Sequence, residues 1–97
     1  MSTLHIAADH PAFAGHFPGR PIVPGVLLLD LAKSAIESET GCLLVGLAEA
    51  KFHSPVGPGE PLELRYELRP AMVQFEIFST TRRVASGRFL LQKAVPP

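Results

Sequence analysis

The sequence has no tryptophan, a single tyrosine and a single cysteine among its 97 residues. A lone Cys42 cannot close an internal disulfide, and neither a CxxC pair nor a histidine-rich ligand set is present, so no metal and no cofactor are expected. Excess charge is missing as well. Nine basic and nine acidic residues cancel, with no block of like sign, which argues against a nucleic-acid or membrane-surface partner. An apolar run such as Val26 to Leu29 falls far short of the ~20 residues that span a bilayer. The N-terminus lacks the basic-then-apolar pattern of a signal peptide. Internal repeats and low-complexity stretches are absent too. The expectation is a cytoplasmic protein without a membrane span, whose ligand is small or neutral.

The length suits one domain, expected to run over residues 1–97, that buries roughly 60–65% of the unfolded chain's surface. Hydrophobic residues make up 46% of the chain, more than so thin a core would hide, and self-association is the natural outlet.

Period-2 alternation over residues 3–8 places Leu4, Ile6 and Ala8 on one face of a short strand. Residues 9–25 hold four prolines and three glycines and read as a rigid loop, packed through Phe13, Phe17, Ile22 and Val23. From Gly25 to about Glu39 the pattern turns helical. Pro24 stands before the start and Gly41 past the end, and the first two turns are apolar nearly all round. Such a helix is expected to be buried early and to surface late, at Lys33, Glu37 and Glu39. Strand-like segments follow at 43–52, 61–68, 72–80 and 83–93, with a turn at Pro55-Val56-Gly57-Pro58-Gly59 and breaks at Arg69-Pro70 and near Thr81-Arg82. Leu62, Leu64, Tyr66 and Leu68 form the dry face of the second of these. One apolar helix and about five strands predict an α+β fold with an antiparallel sheet curled around the helix.

Residues 15–30 read Gly-His-Phe-Pro-Gly-Arg-Pro-Ile-Val-Pro-Gly-Val-Leu-Leu-Leu-Asp. The pattern His-Phe-Pro-Gly-x-Pro, two residues, Pro-Gly, four residues, then an acid resembles the active-site signature of the 3-hydroxyacyl-[acyl-carrier-protein] dehydratases, the FabA/FabZ-like hotdog enzymes. Ala50 to Glu60 is similar to that family's strand and turn after the central helix, and Gly87-Arg88-Phe89 resembles its last strand. The resemblance implies a hotdog fold and conversion of a 3-hydroxyacyl thioester, carried by acyl carrier protein or coenzyme A, to the trans-2-enoyl thioester in fatty-acid, polyketide or related lipid synthesis. It also implies a homodimer or higher even oligomer, with a heterodimer as the variant. Sheets would join edge to edge with the helices side by side, and His16 of one chain would face Asp30 of the partner.

The residue types suit that elimination. A base must take the proton beside the carbonyl, an acid must protonate the departing hydroxyl, and donors must hold the enolate-like oxygen. His16, in the proline- and glycine-fixed loop, is the candidate base. Asp30 sits in Leu-Leu-Leu-Asp-Leu-Ala, where desolvation is expected to favour a protonated, donating carboxyl, and is the candidate acid, directly or through water. The backbone amides of Gly25 and Val26, at the positive end of the helix, are the candidate oxyanion donors, the Gly25 amide by resemblance. Phe17, Pro24 and Ser34 are candidate substrate contacts. His5, His10 and His53 lie outside the motif and read as structural. Arg20, Lys51, Arg82 and Arg83 suit either a carrier protein's acidic surface or plain solvent. Two positions depart from the family: Ser34 stands where a glutamine one turn after the acid is usual, and Lys33 where an apolar or aromatic side chain is usual. The alternatives are a hotdog thioesterase, or a non-catalytic acyl-binding or partner subunit of a hotdog heterodimer.

Overall fold

A computed structural model describes residues 2–4, 22–57 and 59–92 of the chain. The elements run β1 (Ser2–Leu4), α1 (Gly25–Thr40), β2 (Leu44–Phe52), β3 (Leu62–Leu68), β4 (Met72–Ser79) and β5 (Arg82–Leu91). The five strands form one antiparallel sheet in the order β1-β3-β4-β5-β2. One helix against such a sheet is the arrangement expected from the sequence, with the boundaries of α1 and of β2 to β5 within a residue or two. Ile6 and Ala8, His5 and His10, and the whole of the motif loop up to Pro21 lie outside the described residues.

The helix begins where proline forces it to. Pro24, at φ −60° and ψ 140°, is extended and has no N–H to leave unpaired, while its carbonyl accepts from Leu27 N (3.0 Å) and Leu28 N (3.3 Å). It ends where glycine permits. Gly41 takes the left-handed conformation (φ 74°) that lets its N–H reach the Glu37 carbonyl. Burial follows the i, i+4, i+8 stripe Leu28, Ala32, Ile36, which meets Leu64, Val73, Phe75, Ile77, Val84 and Phe89 from the sheet. The expectation that the helix is buried early is thereby corrected, whereas Lys33 and Glu39 are exposed as expected and Glu37 is half-buried. Val26, in the first turn, is 71% exposed and Asp30 is exposed, while Ile36, near the end, is fully buried. A single sheet covers one side of a helix, and the described residues supply no second layer for the other.

On the sheet, β4 turns Val73, Phe75 and Ile77 inward by strict alternation, and the Phe75 ring stacks on Phe89 at 4.8 Å between centroids. The dry face of β3 holds through Leu62 and Leu64 but not to its end, where Leu68 is 48% exposed. Tyr66, between them, donates its hydroxyl to Glu39 (2.8 Å) and ties the strand to the last turn of α1. The β4–β5 turn is formed by Thr80 and Thr81, with Thr80 at φ 59°, so β5 starts at Arg82, one residue earlier than expected. The β2 strand is an outer strand of the described sheet. Its pairing with β5 slips twice, between Leu44 and Gly46 and between Leu47 and Glu49.

Candidate active site

The start of α1 is held in place by the turn after β2. Val23 N donates to the Val56 carbonyl (2.8 Å), and both side chains are buried, so the backbone entering the helix is pinned to the turn. That turn is itself braced by Glu60, whose carboxylate accepts from Gly57 N, Ser79 Oγ and Arg82. The Gly57 amide, with Ser79 and Arg82, holds the Glu60 carboxyl below its ordinary value against the opposing effect of burial. Gly25 then passes over the Phe52 ring so closely that a Cβ there would sit 2.6 Å from Cζ. Among the described residues the amides of Gly25 and Val26 find no carbonyl, as the first turn of any helix leaves them.

Two grooves open on either side of Val26 and Leu29, which line both. The larger, of about 580 Å³, lies at the helix start between Gly25 and the strand end Phe52-His53-Ser54. The smaller, of about 270 Å³, lies between the helix and β2, with Asp30 and Lys33 on one wall and Leu44, Leu47 and Phe89 on the other. Together they form an apolar cleft with backbone donors that meet no carbonyl among the described residues at one end and the Asp30 carboxylate further along.

The structure brings Gly25, Val26 and Asp30 to this cleft. Pro24 caps the helix without lining either groove, and Ser34 is exposed outside both. His16 and Phe17 lie outside the described residues. Asp30 is not desolvated by its sequence neighbours, which corrects that expectation. Leu28 and Leu31 point round the helix, and the groups beside an exposed position 30 are those three and four residues away, such as Val26 and Lys33. Phe52, His53 and Ser54 are part of the cleft although neither composition nor spacing marked them as such. His53 is exposed and shares a 2.8 Å hydrogen bond with Ser86 on β5. Among the described residues no cluster of His, Cys, Asp or Glu could hold a metal ion, and no helix is long and apolar enough to cross a membrane.

A central helix gripped by a five-stranded antiparallel sheet, with an apolar cleft at the helix start, defines a hotdog-fold protein. Residues 1–88 match the model of the ApeI-like family, described as ApeI dehydratase, and the chain belongs to that family. It is 42% identical over 78 residues to the 3-hydroxyacyl-[acyl-carrier-protein] dehydratase FabZ of Chlamydia trachomatis serovar L2, an alignment covering 69% of this chain and 51% of that protein. The chain thus spans about half the length of the curated relatives it matches. Among solved structures, an uncharacterized protein from Erwinia carotovora subsp. atroseptica superposes with a TM-score of 0.78 at 27% identity, over 94% of this chain and 80% of that one. The dehydratase heterocomplex ApeI:P from Xenorhabdus doucetiae superposes with a TM-score of 0.81 at 23% identity, over 94% and 84%.

Proposed function

We propose that this chain, as a single hotdog domain over residues 1–97, dehydrates a 3-hydroxyacyl thioester carried by acyl carrier protein or coenzyme A. The product is the trans-2-enoyl thioester of fatty-acid or related lipid or polyketide synthesis, made in the cytoplasm without a cofactor. The observation that carries this is the cleft itself. Among the described residues two amides at a helix start meet no carbonyl, and a carboxylate five residues on has no ion-pair partner. The first stand at one and the second at the other of two apolar grooves that share Val26 and Leu29, an arrangement suited to a thioester carbonyl and a 3-hydroxyl.

In the proposed reaction the thioester oxygen lies against the Gly25 and Val26 amides, where the positive end of the helix favours developing negative charge. The His16 imidazole takes the proton from the carbon beside the carbonyl. The electron pair of that C–H bond becomes the new carbon–carbon double bond as the C3–O bond breaks. Asp30 gives a proton to the departing oxygen, which leaves as water, and proton return from His16 to Asp30 through solvent restores both groups. Phe17 is assigned to the substrate contact, Pro24 acts by fixing where the helix begins, and Ser34 stands one turn beyond the acid on the same side of the helix.

A dimer fits this reading. The outer strand β2 carries Val45, Leu47 and Phe52 at 62%, 45% and 54% exposure, and Val26 stands beside it. A second copy joined along this edge, with helices side by side, would cover those side chains and desolvate Asp30. The site would then be shared, His16 of one chain facing Asp30 of the partner. The reaction is tested by offering the purified chain a 3-hydroxyacyl thioester and following enoyl absorbance beside thiol release. Enoyl formation is expected, with His16→Ala at least ~10²-fold slower at unchanged folding. Thiol release without enoyl product would identify a thioesterase, and neither signal would point to a non-catalytic or heterodimeric subunit.

A further inference from the structure

We propose that Lys33 makes the groove beside Asp30 selective for an acyl chain whose far end carries a carboxylate. This rests on the reading of that groove as an acyl site. Six of the described cations, Lys51, Arg65, Arg69, Arg82, Arg83 and Arg88, lie within 3.4 Å of a glutamate oxygen. Lys33 has no such partner among the described residues, and neither has Asp30, although the two stand three residues apart on one helix face. The chain has matched its other described cations to anions and left one ammonium free, and that one sits on an apolar groove.

The walls opposite are Leu44, Leu47 and Phe89, on the stretch where the pairing of β2 with β5 slips twice in register. The stem of Lys33 can lie along such a wall with its ammonium at the rim. An alkyl end arriving there would strip water from a charge and give nothing in return. A carboxylate would gain a charge-assisted hydrogen bond, about twice as strong as a neutral one. Geometry also sets a minimum length. Lys33 is eight residues beyond Gly25, about 12 Å along the helix, with Asp30 between them. A short acid would end against the Asp30 carboxyl and be disfavoured, whereas a longer one passes it and reaches the ammonium.

The test compares two non-reactive amide analogues of acyl-pantetheine of equal length, one ending in methyl and one in carboxylate, by calorimetry, with the matching thioesters assayed for turnover. The wild-type chain is expected to bind the carboxylate form roughly tenfold more tightly, a preference that shrinks with added salt. Lys33→Met should abolish or reverse it, and Lys33→Arg should keep it. Equal binding of the two forms by the wild type, or a preference that survives Lys33→Met, overturns the inference. So does an unchanged ratio accompanied by loss of the dimer in light scattering, which would assign Lys33 to a partner's carboxylate. Absence of turnover with the binding preference intact overturns the dehydratase reading and leaves this inference standing. Binding of neither analogue overturns both.

Discussion

Alanine at position 87 is expected to be among the most damaging small substitutions in this chain. Gly87 is buried on β5 opposite Ala50, and a Cβ built there lies 2.2 Å from the Glu49 carbonyl oxygen and 2.9 Å from two atoms of the Phe75 ring. Carbon–oxygen contacts between strands settle at about 3.3–3.6 Å, so β2 would have to move off β5 by about 1 Å. Neither obstacle yields easily. Glu49 O belongs to a paired strand, and Phe75 is packed on Phe89 and fully buried. Overpacking costs about 1–3 kcal/mol, and the upper end applies where backbone must move, so we expect about 3 kcal/mol. For a domain of this size that lowers Tm by roughly 12–24 °C. Gly25→Ala is the control. Its Cβ would meet the Phe52 ring at 2.6 Å, but that ring is 54% exposed and can swing aside, so a loss under about 1 kcal/mol is expected. Thermal melts of the two variants decide the matter. A Gly87→Ala protein melting within about 4 °C of wild type, or a Gly25→Ala protein that is the less stable of the two, would refute the reasoning.

Acid should loosen the turn that holds the helix start. The Glu60 carboxyl is held below its ordinary value of 4.5 in the folded chain, so its stabilisation is complete above that value and is lost as pH falls through the lowered folded value. The wild-type Tm should therefore fall below about pH 4.5 more steeply than that of Glu60→Gln, and parallel curves for the two would remove Glu60 as the cause. Along the β2 edge, Val45→Asp places a charge on a side chain that is 62% exposed in the single chain and should convert the proposed dimer to monomer without lowering helix content. Light scattering at micromolar concentration is the measurement, and a wild-type monomer there would count against the dimer itself.

Much of the fold was legible because its signals are local. Pro24 and Gly41 mark the helix ends through φ alone, and the alternation of Val73, Phe75 and Ile77 declares a strand facing one core. Where the sequence and the structure part, the missing information is not local. The Gly87 backbone approach depends on the partner strand, and the turn at Thr80-Thr81 requires a left-handed threonine that no residue preference would place there. The larger disagreement concerns Val26 and Asp30. An apolar pattern records burial in the finished assembly, whereas one chain shows only the share of that burial it provides for itself. The stripe Leu28, Ala32, Ile36 is satisfied by the chain's own sheet, but Val26, Val45 and Phe52 are apolar and open; Val26 and Val45 line the groove that contains Asp30, and Phe52 lines the groove at the helix start. Reading Asp30 as desolvated and reading the helix start as buried therefore require the same thing. Both hold only if a further layer covers the cleft, and a second copy seated on the β2 edge, as proposed above, would supply it.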